Sequence, residues 1–224
     1  MKRSHLVALL VCDLAMILLE SIGLLLSFWE YGTGMFRFYT QDSNLFALLV
    51  CLAEAFFLLR CLRYDLPVPP FAVRLFKYLA ACCLAVTFLV VMLILLPMLR
   101  FSPYAVSRML LTGSAPFLHV LCPLLLVFSF LFLESPPFSR WRHICSALVP
   151  TCLYAAVAMT CNLLQILDGP YPFLRVRIQP VWASVLWGLG ILCGCFVIAW
   201  LFWFVNLRLN GRRQKERHRE LPVS

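Results

Sequence analysis

Six apolar runs, each long enough to cross a bilayer as a helix of about 20 residues, decide what this chain can become. They lie near residues 6–28, 42–60, 76–99, 115–134, 144–166 and 181–206. In hydrocarbon a backbone N–H or C=O has no water to turn to, so each run must close its own hydrogen bonds as a helix. The expected class is therefore all-α: a polytopic membrane protein with six transmembrane helices. One transmembrane domain is expected over residues 1–210, with a basic tail over 211–224. The charged fraction of 13% agrees, since soluble domains carry about 25%. The first run follows Met1-Lys2-Arg3 as a secretory leader would, but it is longer than a leader's apolar core and carries Asp13 and Glu20. It is expected to stay as a span.

The net charge of +9 does not point to nucleic acid, because the basic residues sit in short connections and tails where they orient a membrane protein. Fourteen of the nineteen Lys and Arg residues fall on the side holding both termini and the 60–77 and 135–143 connections. The other side holds five: Arg37, Arg100, Arg108, Arg175 and Arg177. An N-in, C-in arrangement follows, with both termini cytoplasmic. Asn210-Gly211 predicts the end of the last helix, and the tail beyond it suits contact with anionic lipid. Gly190 and Gly194 permit close approach of another helix, by packing within the chain or, as the alternative, at a dimer seam.

The stretch from Phe36 to Phe46 opens the second run with a polar cluster. On a helix Thr40, Ser43, Asn44, Ala47, Cys51 and Glu54 share one face, and Leu45, Phe46, Leu49, Leu52 and Phe56 lie on the other. A polar, small-residue face turns away from lipid. Asp13, Glu20 and Ser27 form a second such stripe, spaced seven apart; Thr151, Tyr154, Ala158, Cys161, Asn162 and Gln165 form a third. By depth along the helices, Thr40, Ser43, Asn44, Glu20, His119, Asn162 and Gln165 are expected to line one cavity in the outer leaflet. Asp13, Glu54 and Tyr154 are expected deeper, as a separate structural network.

Thr40 and His119 together suggest chemistry. A threonine hydroxyl becomes a nucleophile when a base removes its proton, and neutral imidazole does so once a third group fixes its tautomer. Glu20 or Asn162 are the candidates for that third group, and Ser43 or Asn44 for oxyanion donors. Two plainer roles compete: Thr40 as a helix N-cap, with Asp42 at the positive helix end, and His119 as a packing residue bonded between helices. No G-x-S-x-G, H-E-x-x-H, Walker A or C-x-x-C pattern occurs, so no metal or cofactor is expected.

Phe38-Tyr39-Thr40-Gln41-Asp42-Ser43-Asn44 resembles the F-T-x-x-S-N segment of a bacterial six-span membrane family, and His119-Val120-Leu121-Cys122-Pro123 is similar to its H-x-x-x-P segment. Tyr171-Pro172-Phe173-Leu174 resembles that family's last outer loop. The family in turn resembles the androgen-induced and androgen-dependent membrane hydrolases of animals, which cleave fatty acid esters of hydroxy fatty acids with a threonine and a histidine. The resemblance implies that Thr40 and His119 are catalytic, that membrane lipids and a lipid ester are the partners, and that the chain sits in the cytoplasmic membrane of a bacterium. Ser43-Asn44 has no counterpart in the animal pattern. A non-catalytic binding or transport protein is the competing reading, with ligand or protons held by the polar stripes.

The charge asymmetry makes a direct prediction. Reporters fused after Arg63 and Ser139 will read cytoplasmic, and reporters fused after Pro103 and Pro172 extracytoplasmic. An odd number of crossings would break the placement of Thr40 and His119 at one surface.

Overall fold

A computed structural model describes residues 3–66, 68–134 and 141–220, with side chains for all of these but Trp141 and 210–220. Six helical segments are long and apolar enough to cross a membrane. We label them α1 (Arg3–Arg37), α2 (Tyr39–Tyr64), α3 (Phe71–Met98), α4 (Pro116–Leu133), α5 (Arg142–Leu163) and α6 (Val181–Leu209). No strand occurs among the described residues. The chain is a multi-pass membrane protein by architecture.

Helix α3 is the centre of the bundle. Its apolar window is 61% buried, against 11% for α6 at the periphery. The run Tyr78–Thr87 is buried without a break, because small residues (Ala80, Ala81, Ala85) and cysteines let neighbours close in on every side. Helix α2 packs between α1 and α3, and α4 packs on α1 and α3. Gly23 permits the α1–α4 approach: a Cβ there would stand 2.5 Å from the Leu118 side chain. On α2 the polar face turns inward as a whole. Thr40, Ser43, Asn44, Ala47, Cys51 and Glu54 are buried, while Leu49, Leu52 and Phe56 face outward. Asp13, Glu20 and Ser27 of α1 are likewise buried.

The inner half of the bundle, meaning the half that holds the start of α1 and the end of α6, is tied by charge. Lys77 is fully enclosed and pairs with Asp13 of α1, and with Glu54 of α2 at 2.7 Å. Lys77 therefore does not belong to the 60–77 connection, and the basic asymmetry becomes thirteen to five. Its long stem starts near the inner end of α3, and two buried carboxylates draw the ammonium into the bundle instead of letting it reach water. Asp13 and Glu54 thus form the expected inner network, but Tyr154 does not join it. The Tyr154 hydroxyl donates to the Arg37 carbonyl at 2.7 Å, in the outer half.

Helix α6 is fixed mainly at its inner end. The Asn206 amide donates to the carbonyls of Phe130 (2.7 Å) and Glu134 (3.1 Å), which the last turn of α4 leaves without helical partners. The Tyr78 hydroxyl donates to the Ala199 carbonyl at 2.9 Å. The helix does not stop at Asn210-Gly211 but continues to Glu220. The Arg, Lys, Gln and Glu residues beyond Gly211 are strong helix formers, and together they outweigh the roughly 1 kcal/mol cost of one glycine.

Removing Lys77 leaves Asp13 and Glu54 buried without compensation, and breaking such a cluster from one side costs about 3–5 kcal/mol. Lys77→Met will lower the thermal unfolding midpoint in detergent sharply. The triple variant Asp13→Asn, Glu54→Gln, Lys77→Met will recover most of that loss, because no unpaired charge remains.

Candidate functional site

The outer half of the bundle holds a cavity of about 410 Å³ lined by Tyr31, Phe38, Thr40, Gln41, Arg108, Met109, His119 and Tyr171, with apolar residues from α3 and Pro170 and Pro172. Thr40 and His119, from α2 and α4, are thus walls of one cavity. A smaller cavity of about 50 Å³ lies on the other side of Thr40, between it and Tyr39, Thr87, Thr151 and Tyr154. Thr40 and Tyr171 line both.

Local structure explains how Thr40 comes to the cavity wall. Helix α2 begins at Tyr39, with Phe38 as its N-cap in an extended conformation and without a side-chain cap. Thr40 is already inside the helix, so it is not the N-cap. Asp42 sits in the first turn, where the helix dipole favours an anion. The backbone of this turn is tied down from below: the Thr40 carbonyl accepts from the Ser43 hydroxyl at 3.0 Å and from the Asn44 amide at 2.6 Å. Tyr39 braces the turn from the side, with its hydroxyl 2.8 Å from that of Thr151 and its ring 5.2 Å from that of Tyr154.

These bonds remove Ser43 and Asn44 from the role of oxyanion donors. The Ser43 hydroxyl lies between the Thr40 carbonyl and the Thr87 hydroxyl, 2.9 Å away on α3. The Asn44 amide donates to Thr40 and, at 3.2 Å, to the Leu118 carbonyl of α4. That second bond has a cause in the sequence. The first turns of α4 are π-helical, with the Cys122 N–H reaching back to the Phe117 carbonyl. The next bond in that pattern would run from residue 123 to Leu118, but Pro123 has no N–H to give. Asn44 supplies the missing donor. The Ser-Asn pair of α2 and the His-x-x-x-Pro segment of α4 are therefore two halves of one contact.

His119 is oriented by neither Glu20 nor Asn162. Its Nδ1 lies 2.6 Å from the Met109 carbonyl. A carbonyl only accepts, so Nδ1 carries the proton and Nε2 keeps its lone pair. Met109 belongs to the 99–115 connection, which folds as a short helix, Pro103–Val106, followed by a π turn, Ser107–Leu111. The Ser102 side chain accepts from the Ala105 N–H at 3.3 Å, with Pro103 at the first position. That Ser-Pro start is a helix signal legible in the sequence of a segment that otherwise looks like a plain loop. The same segment brings Arg108 to the cavity, where its guanidinium donates to Glu30 at 2.6 Å and faces the Tyr31 hydroxyl at 3.4 Å. The Glu30 carboxylate holds the Arg108 guanidinium above its ordinary pKa, so Arg108 stays charged.

Ser43 and Asn44 do not line the cavity, and three further expected site residues lie elsewhere. Glu20 is enclosed between α1 and α4 beside the Cys122 thiol and does not line the cavity. Asn162 lines a separate outer cavity of about 280 Å³ with Asp168, Gly169, Arg175, Arg177 and Ile178, and its amide donates to the Leu167 carbonyl at 3.3 Å. Gln165 falls beyond the end of α5 at Leu163, in a left-handed turn (φ 62°), with its side chain exposed. Tyr171 takes the place these residues were expected to fill. Burial pushes its phenol above the ordinary pKa, and contact with the Thr40 hydroxyl and the Tyr39 and Thr40 backbone opposes part of that rise. The phenol thus stays protonated and able to donate at the cavity wall. Comparison with known proteins finds no matching family model, curated protein or solved structure.

The Asn44–Pro123 relation is testable. Asn44→Ala strands a buried carbonyl and will cost about 1–3 kcal/mol of stability. Pro123→Ala restores an N–H that can reach Leu118, so in the Asn44→Ala background it will recover part of the loss. Thermal unfolding of the two single variants and the double variant measures the coupling; strictly additive midpoints would refute it.

Proposed function

We propose that this protein is an intramembrane, threonine-dependent hydrolase of lipid esters. The observation that carries the reading is the shared cavity of Thr40 and His119, with His119 bonded through Nδ1 to the Met109 carbonyl. That bond leaves Nε2 as the base. Nε2 takes the Thr40 hydroxyl proton as the oxygen attacks the ester carbonyl carbon, and the carbonyl electron pair moves onto the carbonyl oxygen. Collapse of the tetrahedral intermediate breaks the bond to the alcohol oxygen, which leaves with the proton now on His119. The acyl group remains on Thr40. Water, deprotonated by the same Nε2, then attacks the acyl carbon, releasing the carboxylic acid and restoring the Thr40 hydroxyl. The Tyr171 hydroxyl supplies a donor beside Thr40 for the oxyanion, in place of Ser43 and Asn44.

The cavity's setting suits such a substrate. Its wall on the side of α3, Val91, Leu95, Met98 and Leu99, is apolar, and Arg108, Tyr31 and Gln41 give it polar groups. A lipid placed there keeps its chain in an apolar environment and its ester near Thr40.

A ligand-binding or transport protein is the second reading. Glu20 favours it, since its carboxyl group is buried with only the weakly donating Cys122 thiol beside it. Against it, neither the two cavities beside Thr40 nor the one beside Asn162 is lined by Asp13, Glu20 or Glu54.

The test is covalent labelling with a hydroxyl-directed hydrolase probe. Wild type will label at Thr40, and Thr40→Ala will not. His119→Ala will lose most labelling because the hydroxyl keeps its proton, and wild-type labelling will fall toward acid pH as the imidazole takes one up. Tyr171→Phe will reduce turnover of a lipid ester by about 10²-fold, the scale of one lost oxyanion donor. Equal labelling of wild type and Thr40→Ala would leave the binding or transport reading in possession.

A further inference from the structure

The expectation that Gly190 and Gly194 bring another helix close fails within this chain. A Cβ added at either glycine meets nothing within 4 Å. Both line an apolar crevice of about 570 Å³ between α3 and α6, whose walls include Val86, Leu93, Trp187 and Ile198. The crevice exists because α6 is bonded to the bundle at Ala199 and Asn206, toward its inner end, and lacks large side chains at 190 and 194 where it passes the outer half of α3. Since α3 and α6 both cross the membrane, the crevice opens on hydrocarbon.

We infer that this crevice is a binding site for one hydrocarbon chain of a bilayer lipid, entering sideways between α3 and α6. Two observations select that occupant. The first is width. From Trp187 to Leu201, α6 rises about 21 Å, so even the whole empty space of about 1130 Å³ corresponds to a cross-section of roughly 54 Å², whereas a helix with its side chains, about 10 Å across, needs roughly 80 Å². A second copy of the chain does not fit into it; a single extended chain of methylenes does. The second is continuity. Val86, Val90 and Ile191 wall both the crevice and the small cavity beside Thr40. A chain seated in the crevice therefore ends against Thr40 and Tyr171. Its occupancy does not depend on catalysis, but its role as the acyl port of the reaction rests on the hydrolase reading.

The experiment uses the full chain in nanodiscs of phosphatidylcholine containing a few per cent of a phosphatidylcholine with a mid-chain diazirine. After irradiation, cross-links are mapped by mass spectrometry. In wild type they will concentrate on 86–94 and 187–201, well above the lipid-facing side of α5 at Val149, Leu153 and Val157. The pair Gly190→Leu and Gly194→Leu fills the crevice and will cut that signal at least about fivefold. Gly188→Leu adds the same side chain on the same helix outside the crevice and will leave it unchanged. Thr40→Ala will also leave it unchanged while abolishing ester turnover; cross-linking by a wild type that turns over no ester would keep the crevice as a lipid site and remove only its role as acyl port. Even cross-linking over all lipid-facing helices in wild type would overturn the inference. So would a signal indifferent to the paired substitution, or energy transfer between labelled copies that the paired substitution abolishes, which would mark a dimer seam.

Discussion

The bundle depends on one constraint: in hydrocarbon, a polar group that does not find a partner inside the protein has none. Each device in the fold answers it. Asp13 and Glu54 meet Lys77. The carbonyl left open by Pro123 meets Asn44. The end of α4 meets Asn206, and Gln41 of α2 donates to Ser27 of α1 at 3.0 Å. These contacts join different helices, so they fix rotation and register as well as satisfying bonds. Apolar packing alone would leave α2 free to turn, since lipid tails are as good a neighbour as leucine.

That constraint also explains how much was legible in the sequence. The six spans and the inward face of α2 follow from apolar length and helical spacing, which report directly on burial. The fate of Lys77 was hidden because it stands near a span boundary, where a charge can reach water or turn inward; its buried partners lie 64 and 23 positions away, and no local pattern links them. The continuation of α6 past Gly211 was hidden by giving one glycine more weight than the helix formers after it. Spacing picks out Gly190 and Gly194, but spacing cannot say whether the facing surface is filled.

At the candidate site, the pairing of Thr40 with His119 in one cavity was visible from depth, but the assignment of helpers was not. Ser43 and Asn44 lie on the right face, yet their donors are committed to holding backbone. The groups in contact with the two side chains, the Met109 carbonyl at His119 and Tyr171 at Thr40, come from the outer connections. A main-chain carbonyl carries no residue-type signature, and Tyr171 sits in a turn whose Gly and Pro residues speak of shape alone. The short motifs around Thr40 and His119 gain a physical meaning here: the asparagine and the proline complement each other across two helices, and that contact sets the height of α4, and so of His119, relative to Thr40.

The charge triad has a consequence for how the chain enters the membrane. A lysine at the depth of Lys77 and carboxylates at Asp13 and Glu54 each oppose partitioning into lipid when taken singly, by about 2.5–3.5 kcal/mol near a helix centre. Helices α1 and α2 emerge first and carry only the negative members, and α3 arrives with the cation. Until it does, the first two helices hold uncompensated acids and gain from staying beside the insertion machinery or from remaining protonated. Release into the bilayer is thus coupled to synthesis of the third helix, and the first hundred residues enter as a unit instead of one helix at a time.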